Sequence, residues 1–423
     1  MPPRPSSNRT PSRGSSGNTK NTPRSGTRTP AAPADPMEEI YKDPKRFQEF
    51  YNEFYDNLQQ EKANFDECSF VFLNTKRPLE PIVSLQTSTE ELFYGSYDGP
   101  IRCFSTANGK RTQTLRGHSS LISGLELVQK TKVLEPLGIE VDHVEEEQGI
   151  EEKKDALKSR NDVILFSSSR DGTVRCWDLN KSKTIKSYTT NDGAPRTCMK
   201  VCLSPSSPAL IASGGLDGSI VLWDMKSAEV SCVYSGHASQ VSTLDYADSK
   251  LYSGSLDSFV KIIDVEKQEA ISIIRPTTQP IRSLCVNGTD IFVGSSSGII
   301  YQYDARTSEQ VGQFKGHTDS VLCTRIYDTN YLLSGSEDTF VVLWDIKTKE
   351  MIHVYGGHKD SVMAISITDE DKSVYSGSLD KTIRRWGASS AITLVKHEKE
   401  LIEHKKRLEE LIAKTKPKPE KTR

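Results

Sequence analysis

The chain has 423 residues, 35% hydrophobic, 8% aromatic and 26% charged, with a formal net charge of −2. No run approaches the 18 consecutive apolar residues that suggest a membrane span, and the opening MPPRPSSNRTPSRGSSG lacks the apolar stretch of a secretory signal. Charge is uneven: residues 1–36 carry +5, residues 387–423 carry +4 and the body between carries −11, which argues against a nucleic-acid-binding core and leaves such contacts to the tails.

In chain order, residues 1–36 are rich in Pro, Ser, Thr, Gly and Arg and too poor in apolar residues to build a core, so they read as a disordered basic tail. Thr10, Thr22 and Thr29 each precede Pro there and are candidate phosphorylation sites for proline-directed kinases. Residues 37–64 read as an amphipathic helix: Asp43 and Pro44 suit its start, and Phe47, Phe50, Tyr51, Phe54 and Leu58 form an aromatic stripe that faces either the chain's own flank or a partner's groove. Residues 67–74, ECSFVFLN, read as a strand.

From about residue 80 one pattern recurs: apolar residues, a Ser-Gly-Ser-like element, an Asp, then alternating apolar residues ending in Trp-Asp. The instances are FYGSYDGPIRCF, LFSSSRDGTVRCWD, ASGGLDGSIVLWD, LYSGSLDSFVKIID, IFVGSSSGIIYQYD, LLSGSEDTFVVLWD and SVYSGSLDKTIRRW. Their turn residues are Asp98, Asp171, Asp217, Asp257, Ser297, Asp338 and Asp380, and five of the six intervals are 40–46 residues. A period near 40 with short alternating strands is the signature of a propeller blade, which cannot bury both its faces unless its neighbours stack and the ring closes. Gly-His dipeptides ending at His118, His237, His317 and His358 precede four of the units, and Trp177, Trp223, Trp344 and Trp386 stand six residues after their turn Asp. On these motifs the chain resembles the WD40-repeat family. The resemblance covers roughly residues 80–395 and implies an all-β fold: a seven-bladed WD40 β-propeller with a disordered N-terminal tail and flanking short helices.

The propeller is expected over 67–395. The long first interval, 73 residues, comes from an acidic insertion in blade 2 at about 129–161, where Asp142, Glu145, Glu146, Glu147, Glu151 and Glu152 crowd into what reads as a solvated loop. The resemblance also implies that an N-terminal strand completes the last blade; 67–74 and AITLV (391–395) compete for that place. Residues 396–423 read as a C-terminal helix, about 396–414, with Leu401, Leu408, Leu411 and Ile412 on one side as a short coiled-coil-like stripe, followed by a basic tail.

His, Ser and Asp recur together in a way that suggests a nucleophile site, but a hydrolase needs such a set once and these return blade after blade. The resemblance implies instead the structural tetrads of the family: His118, Ser167, Asp171 and Trp177; His317, Ser334, Asp338 and Trp344; His358, Ser376, Asp380 and Trp386. Blade 4 keeps His237, Ser253 and Asp257 with Ile263 in place of Trp, and blade 3 has Ser213, Asp217 and Trp223 without His. Phe104 and Tyr303 replace Trp in blades 1 and 5, where the pattern is weakest. No GxxxxGK(S/T), HExxH or GxSxG occurs, and the eight cysteines lie scattered with no CxxC pair, most of them in strands where a thiol behaves as a small apolar group. No catalytic residue, metal site or cofactor is therefore expected, and the missing signal with unpaired cysteines points to a reduced interior, cytoplasmic or nuclear.

Function is then expected on the rims of the ring. The resemblance implies docking on the face that carries the loops before the first strand of each blade and the turns between its second and third strands. One ring of residues precedes each turn: Tyr97, Arg170, Leu216, Leu256, Ser296, Glu337 and Leu379. A second, at the start of each first strand, holds Val83, Ser123, Met199, Ser242, Arg282, Leu322 and Met363. Protein binding is assigned to Tyr97, Arg170, Leu216, Leu256, Arg282, Glu337, Leu322, Met363 and Leu379, a largely apolar entrance in which Arg170 and Arg282 suit acidic or phosphorylated groups. The expectation is a non-enzymatic scaffold that binds proteins or peptides, with neither a membrane nor a small-molecule substrate. Two alternatives stand beside it. One is the substrate receptor of a cullin-type ubiquitin ligase: LLSGSEDTFVVLWDIK resembles an adaptor-binding repeat, with Lys347 where Arg is usual, and YDAR supplies Arg306 without the turn Asp. The other is a subunit of an RNA-associated complex, contacting RNA through the basic tails.

Overall fold

A computed structural model describes residues 70–72, 80–138, 163–190, 192–204 and 209–415, together with the helical positions Glu49, Asn52, Asp56 and Asn57. The aromatic stripe expected in 37–64, the tail with its three Thr-Pro sites and most of the acidic insertion fall outside the described residues. By contacts the chain divides into residues 54–402 and a second unit made of 1–53 with 403–423. The propeller lies in the first.

Seven four-stranded antiparallel sheets follow one another, each built from strands that are consecutive in sequence except at one point. In each sheet, strands a to d run outward from the axis. The a strands are Ile82–Thr87, Ile122–Gln129, Arg196–Cys202, Val241–Ala247, Ile281–Asn287, Val321–Asp328 and Val362–Ile367. Each packs against the a strand of the next blade, and the seventh packs against the first. The exception to sequence order is the d strand of blade 7, which is Phe70–Phe72, paired Phe70 to Arg385 and Phe72 to Ile383. The N-terminal candidate therefore closes the ring. AITLV does not: it lies inside the helix Ala388–Thr415, which starts eight residues earlier than the expected 396 and ends the propeller at Trp386.

Burial explains why the repeats read as they do. Strands b and c are covered on both faces by the adjacent blades, so Ser219–Asp224 buries five of its six residues and Glu91–Ser96 all six. Strand d is an edge with one wet face, and Lys183–Thr189 alternates exposed and half-buried residues along most of its length. Apolar clusters fill the blade interfaces; one joins Val128, Ile164 and Tyr188 of blade 2 to Met199, Ile211 and Trp223 of blade 3. Helix α1, Lys130–Leu137, is the described start of the blade 2 insertion and adds Val133 and Leu137 to that cluster before Pro136 and Gly138, at φ 69°, end it. Helix α2, Ala388–Thr415, buries Ala388, Ala391 and Ile392 against Tyr327, Val374 and Trp386.

Hydrogen bonds from small polar side chains tie the a strands into a belt. Ser84 Oγ donates to Ile122 O (3.1 Å), Ser123 Oγ to Arg196 O (2.8 Å), Thr197 Oγ1 to Val241 O (2.5 Å), Ser242 Oγ to Ile281 O (2.7 Å) and Ser283 Oγ to Val321 O (3.0 Å). At the sixth junction the thiol of Cys323 faces Val362 O at 3.8 Å. The seventh junction, where the last blade meets the first, uses another pair: Ser366 Oγ accepts from Thr87 N at 2.9 Å and bonds Thr87 Oγ1 at 2.8 Å.

Lower in the channel, Lys200 Nζ lies 3.2 Å from both Glu126 Oε1 and Asp245 Oδ1, so blades 2, 3 and 4 share one ion triad. The carboxylates also accept Val201 N (2.7 Å) and Val286 N (2.8 Å). Glu126 first, and then Asp245, hold the Lys200 ammonium well above its ordinary pKa against the opposing pull of burial.

Candidate functional site

The loop face is built from the turn residues upward. In all seven blades the residue after the turn Asp or Ser has positive φ: Gly99, Gly172, Gly218 and Gly298 at 78–98°, then Ser258 at 73°, Thr339 at 76° and Lys381 at 68°. Glycine is at ease there and Thr339, being β-branched, is not. The closeness of the next loop adds to the constraint, since a Cβ on Gly298 would meet His317 O at 2.6 Å.

Beneath the turns sit the tetrads, assembled as the repeats imply. In blades 2, 6 and 7 the Trp Nε1–H donates to Ser Oγ at 2.7, 2.7 and 2.8 Å. The same Ser lies 2.8, 2.7 and 2.7 Å from His Nε2, and His Nδ1 lies 2.8, 2.8 and 2.9 Å from the turn Asp. One proton assignment uses every donor: Trp to Ser, Ser to His Nε2, and His Nδ1–H to Asp. Each Asp also accepts the backbone N–H of the residue after the His, which pins the loop. The His rings stand edge-on to the Trp at 5.9–6.1 Å between centroids and their side chains are almost wholly buried.

Burial pushes His237 and His358 below the usual imidazole value despite their Asp partners. Burial alone would raise the carboxyls of Asp171, Asp257, Asp338 and Asp380, but the hydrogen bonds they accept hold them below the usual range. In blades 4 and 7 this favours a neutral imidazole on an ionised carboxylate, and in blades 2, 6 and 7 the Ser hydroxyl is bonded on both sides. These triads hold loops.

The degenerate blades solve the same problem differently. In blade 4, His237 still bonds Asp257 and Ser253, both at 2.9 Å, and the missing indole leaves Ser253 with Lys261 O at 3.4 Å. In blade 1, Arg102 takes over Asp98 through both guanidinium nitrogens, one at 2.9 Å. In blade 3 the place of the His is taken by Arg196, fully buried with its guanidinium 5.8 Å from the Trp223 ring. Ser213 Oγ and Trp223 Nε1 have no protein partner there. The repeat pattern marks the missing His, but the tertiary fold was needed to show what stands in for it.

The two rings of candidate binding residues border the same end of the propeller. Six of the seven residues before the turns donate their N–H to the carbonyl of the residue just before strand a, as in Leu216 N to Pro195 O (3.0 Å) and Leu379 N to Ser361 O (3.0 Å). Tyr97 and Leu216 are about half exposed, at 49% and 46%, and Arg170 is exposed; Leu256, Ser296, Glu337 and Leu379 are half-buried. All seven members of the second ring line the central channel, a cavity of about 150 Å³. One placement needs correcting. Strand a bulges after its first residue, between Arg196 and Cys198 in blade 3, so Thr197 is the counterpart of Ser123 and Ser242, and Met199 lies two residues deeper and buried. The sequence reading also passed over Phe340, 41% exposed two residues after its turn Asp, where Thr173 and Thr382 bond their Asp. Phe259 stands in the same place with Arg275 stacked at 5.4 Å. A second apolar set, Val233, Ile271, Ile273 and Val311, is half exposed or more on the outer d strands of blades 3–5. Arg306 is exposed and pairs with Asp304 at 3.1 Å.

Among the described residues no helix is long and apolar enough to cross a membrane, and no His, Cys, Asp and Glu group of three or more is placed to hold a metal ion. The sequence profile described as "WD domain, G-beta repeat" matches residues 156–178, 182–224, 229–264, 308–345 and 349–387. All but the first of these segments open on a d strand and run through strands a to c of the next blade; together they leave out blade 1, strand a of blade 2, the d strands of blades 4 and 7 and strands a to c of blade 5. A WD repeat-containing protein 55 homolog of Dictyostelium discoideum is 26% identical over 43% of this chain and 44% of its own length. Pre-mRNA-processing factor 17 of Saccharomyces cerevisiae is 29% identical over 47% and 46%. The guanine nucleotide-binding protein subunit beta of Solanum tuberosum is 26% identical over 42% and 52%. The chain spans about half the length of these curated relatives. Matched repeats, buried tetrads and a closed ring of seven sheets show that this chain carries WD40 repeats folded as a seven-bladed β-propeller.

Proposed function

We propose that this protein is a non-enzymatic scaffold, cytoplasmic or nuclear, that docks a protein segment on the loop face of its propeller. The observation that carries this reading is the concentration of half-exposed and exposed apolar side chains, Tyr97, Leu216 and Phe340 among them, on a rim pinned by the tetrads in blades 2, 6 and 7, by Arg102 on Asp98 in blade 1 and by Leu216 N on Pro195 O in blade 3. Rigid display lowers the ordering cost of binding, and aromatic or aliphatic anchors beside a shallow cavity suit a peptide better than a small molecule, whose sites usually exceed about 300 Å³. The names of the relatives describe subunits and processing factors and support the same class of role. Changing Leu216, Leu256 and Leu379 together to Glu is expected to leave the melting temperature within a few degrees of wild type and to abolish co-purification of the main partner proteins. Unchanged partners would reject the assigned face.

A second reading has its own support: similarity to a pre-mRNA-processing factor, together with tails of +5 and +4 charge, suits a subunit that touches RNA at its ends. Crosslinking to RNA that disappears when 1–36 and 387–423 are deleted, and weakens steeply with salt, is the expected result for that role.

A further inference from the structure

We propose that the mouth of the central channel is a receptor for one anionic side chain of the docked segment, an Asp, Glu or phosphorylated residue, held by Arg282. The inference rests on the loop-face reading and names the chemistry that the face selects. In the second ring Arg282 is the one charged member: its neighbours are Val83, Ser123, Thr197, Ser242, Leu322 and Met363. The hydroxyls of Ser123, Thr197 and Ser242 donate to backbone carbonyls of the next blade, so none of them offers its proton to the guanidinium's eventual ligand. Arg282 is half-buried, and its Nε donates to Ser296 Oγ at 3.3 Å. That contact aims the guanidinium without neutralising it, and among the described residues no carboxylate lies within 4 Å of it.

The other cations of the channel differ. Lys200 is held between Glu126 and Asp245, and Arg325 bonds Thr324 O at 3.3 Å; both lie three residues further along strand a, about 10 Å deeper. The turn beside Arg282 also carries the smallest side chains of the ring at these two positions. Blade 5 carries Ser296 and Ser297 where other blades carry Tyr, Arg, Leu or Glu followed by Asp, so neither a bulky side chain nor a tetrad carboxylate covers this cation. A partly desolvated guanidinium gains more from an oxyanion than an exposed one does, because the surrounding Leu322 and Met363 lower the local dielectric. A single cation in an apolar and hydroxyl-lined mouth suits one side chain of a peptide. A nucleic-acid strand presents repeated phosphates and calls for several cations in a row.

The test uses the full chain and four pools of fluorescent nine-residue peptides, randomised except for a central Ala, Lys, Glu or phosphoserine, with a nine-nucleotide oligouridine as a further probe. Anisotropy titrations are expected to show the Glu or phosphoserine pool binding at least ten-fold tighter than the Ala and Lys pools. Arg282→Gln should erase that difference and Arg282→Lys should restore part of it, with melting temperatures unchanged. A phosphoserine pool far tighter than the Glu pool assigns the anion to a phosphorylated partner; equal affinities assign it to a carboxylate. Charge-blind binding, a preference that survives Arg282→Gln, tighter binding of oligouridine, or no binding of any pool would overturn the proposal. Charge-blind binding that is lost in the Leu216, Leu256 and Leu379 variant would remove the role of Arg282 and leave the loop face standing. An acid preference insensitive to that variant would instead reject the outer rim.

Discussion

A buried Ser hydroxyl in this protein accepts from an indole and donates to an imidazole, and that pairing shows what its His–Ser–Asp sets are for. The hydroxyl's one proton is committed to the imidazole and is not free to leave for a substrate, and the cost of leaving such a group unpaired is what enforces the set. The protonation state makes stability depend on pH with a definite sign. His237 and His358 are depressed in the folded state, so below about pH 6.5 the unfolded chain binds protons that the fold refuses and stability falls. Asp171, Asp257, Asp338 and Asp380 are depressed as well, so their contribution is present above about pH 4 and is lost as pH drops further toward their folded values. Melting temperature measured from pH 8 downward is expected to decline from about pH 6.5 and to steepen below about pH 4; a flat profile to pH 4 would show that the histidines titrate alike in both states. A second expectation concerns strain. Thr339 holds φ 76° where four other blades use Gly, and Thr339→Gly is expected to stabilise by up to about 1 kcal/mol, read as a higher urea midpoint at constant slope.

At the level of strands, closure depends on the short segment Phe70–Phe72, which brings the N-terminal side of the chain onto the outer edge of blade 7. A ring joined this way cannot open without losing that sheet edge and the interface between blades 7 and 1 at once. The Thr87–Ser366 contact is the polar part of this seam, set near the far ends of the two a strands, whereas the other junctions use a Ser, Thr or Cys near the strand start reaching for a carbonyl. Thr87→Val and Ser366→Ala are each expected to cost about 1 kcal/mol or more, with a coupling near 1 kcal/mol in a double-mutant cycle, because both remove the same buried bonds. Additive losses would mean that the two hydroxyls act separately.

Across the whole ring the belt of side-chain-to-carbonyl bonds and the Lys200 triad make the channel wall continuous, so a change at one blade is felt by its neighbours. Lys200→Met is the sharpest probe: it leaves Glu126 and Asp245 half-buried and uncompensated in the channel wall, and a loss of about 2–3 kcal/mol is expected from chemical denaturation. The triple change Glu126→Gln, Lys200→Met and Asp245→Asn should recover much of that loss, since no unpaired charge then remains.

The period of the turn residues, the Gly-His dipeptides and the Trp positions were enough to read seven blades, three full tetrads and the partial one of blade 4, because each blade repeats the same local hydrogen-bond problem and so repeats its residues. The two rings around one face were legible for the same reason, apart from Met199: blade 3 lacks the Gly-His dipeptide that marks the start of strand a in blades 2, 4, 6 and 7, and the strand register puts Thr197 in the ring instead. Arg102 took hold of the turn Asp of blade 1 and Arg196 stacked on the Trp of blade 3 unannounced, since a long guanidinium reaches its partner through space. The closing strand was likewise left open, because Phe70–Phe72 and AITLV are equally apolar and only the packing of Ala388, Ala391 and Ile392 against blades 6 and 7 makes the second of them helical. Local repetition writes itself into sequence; contacts between residues far apart in the chain arise when the ring closes.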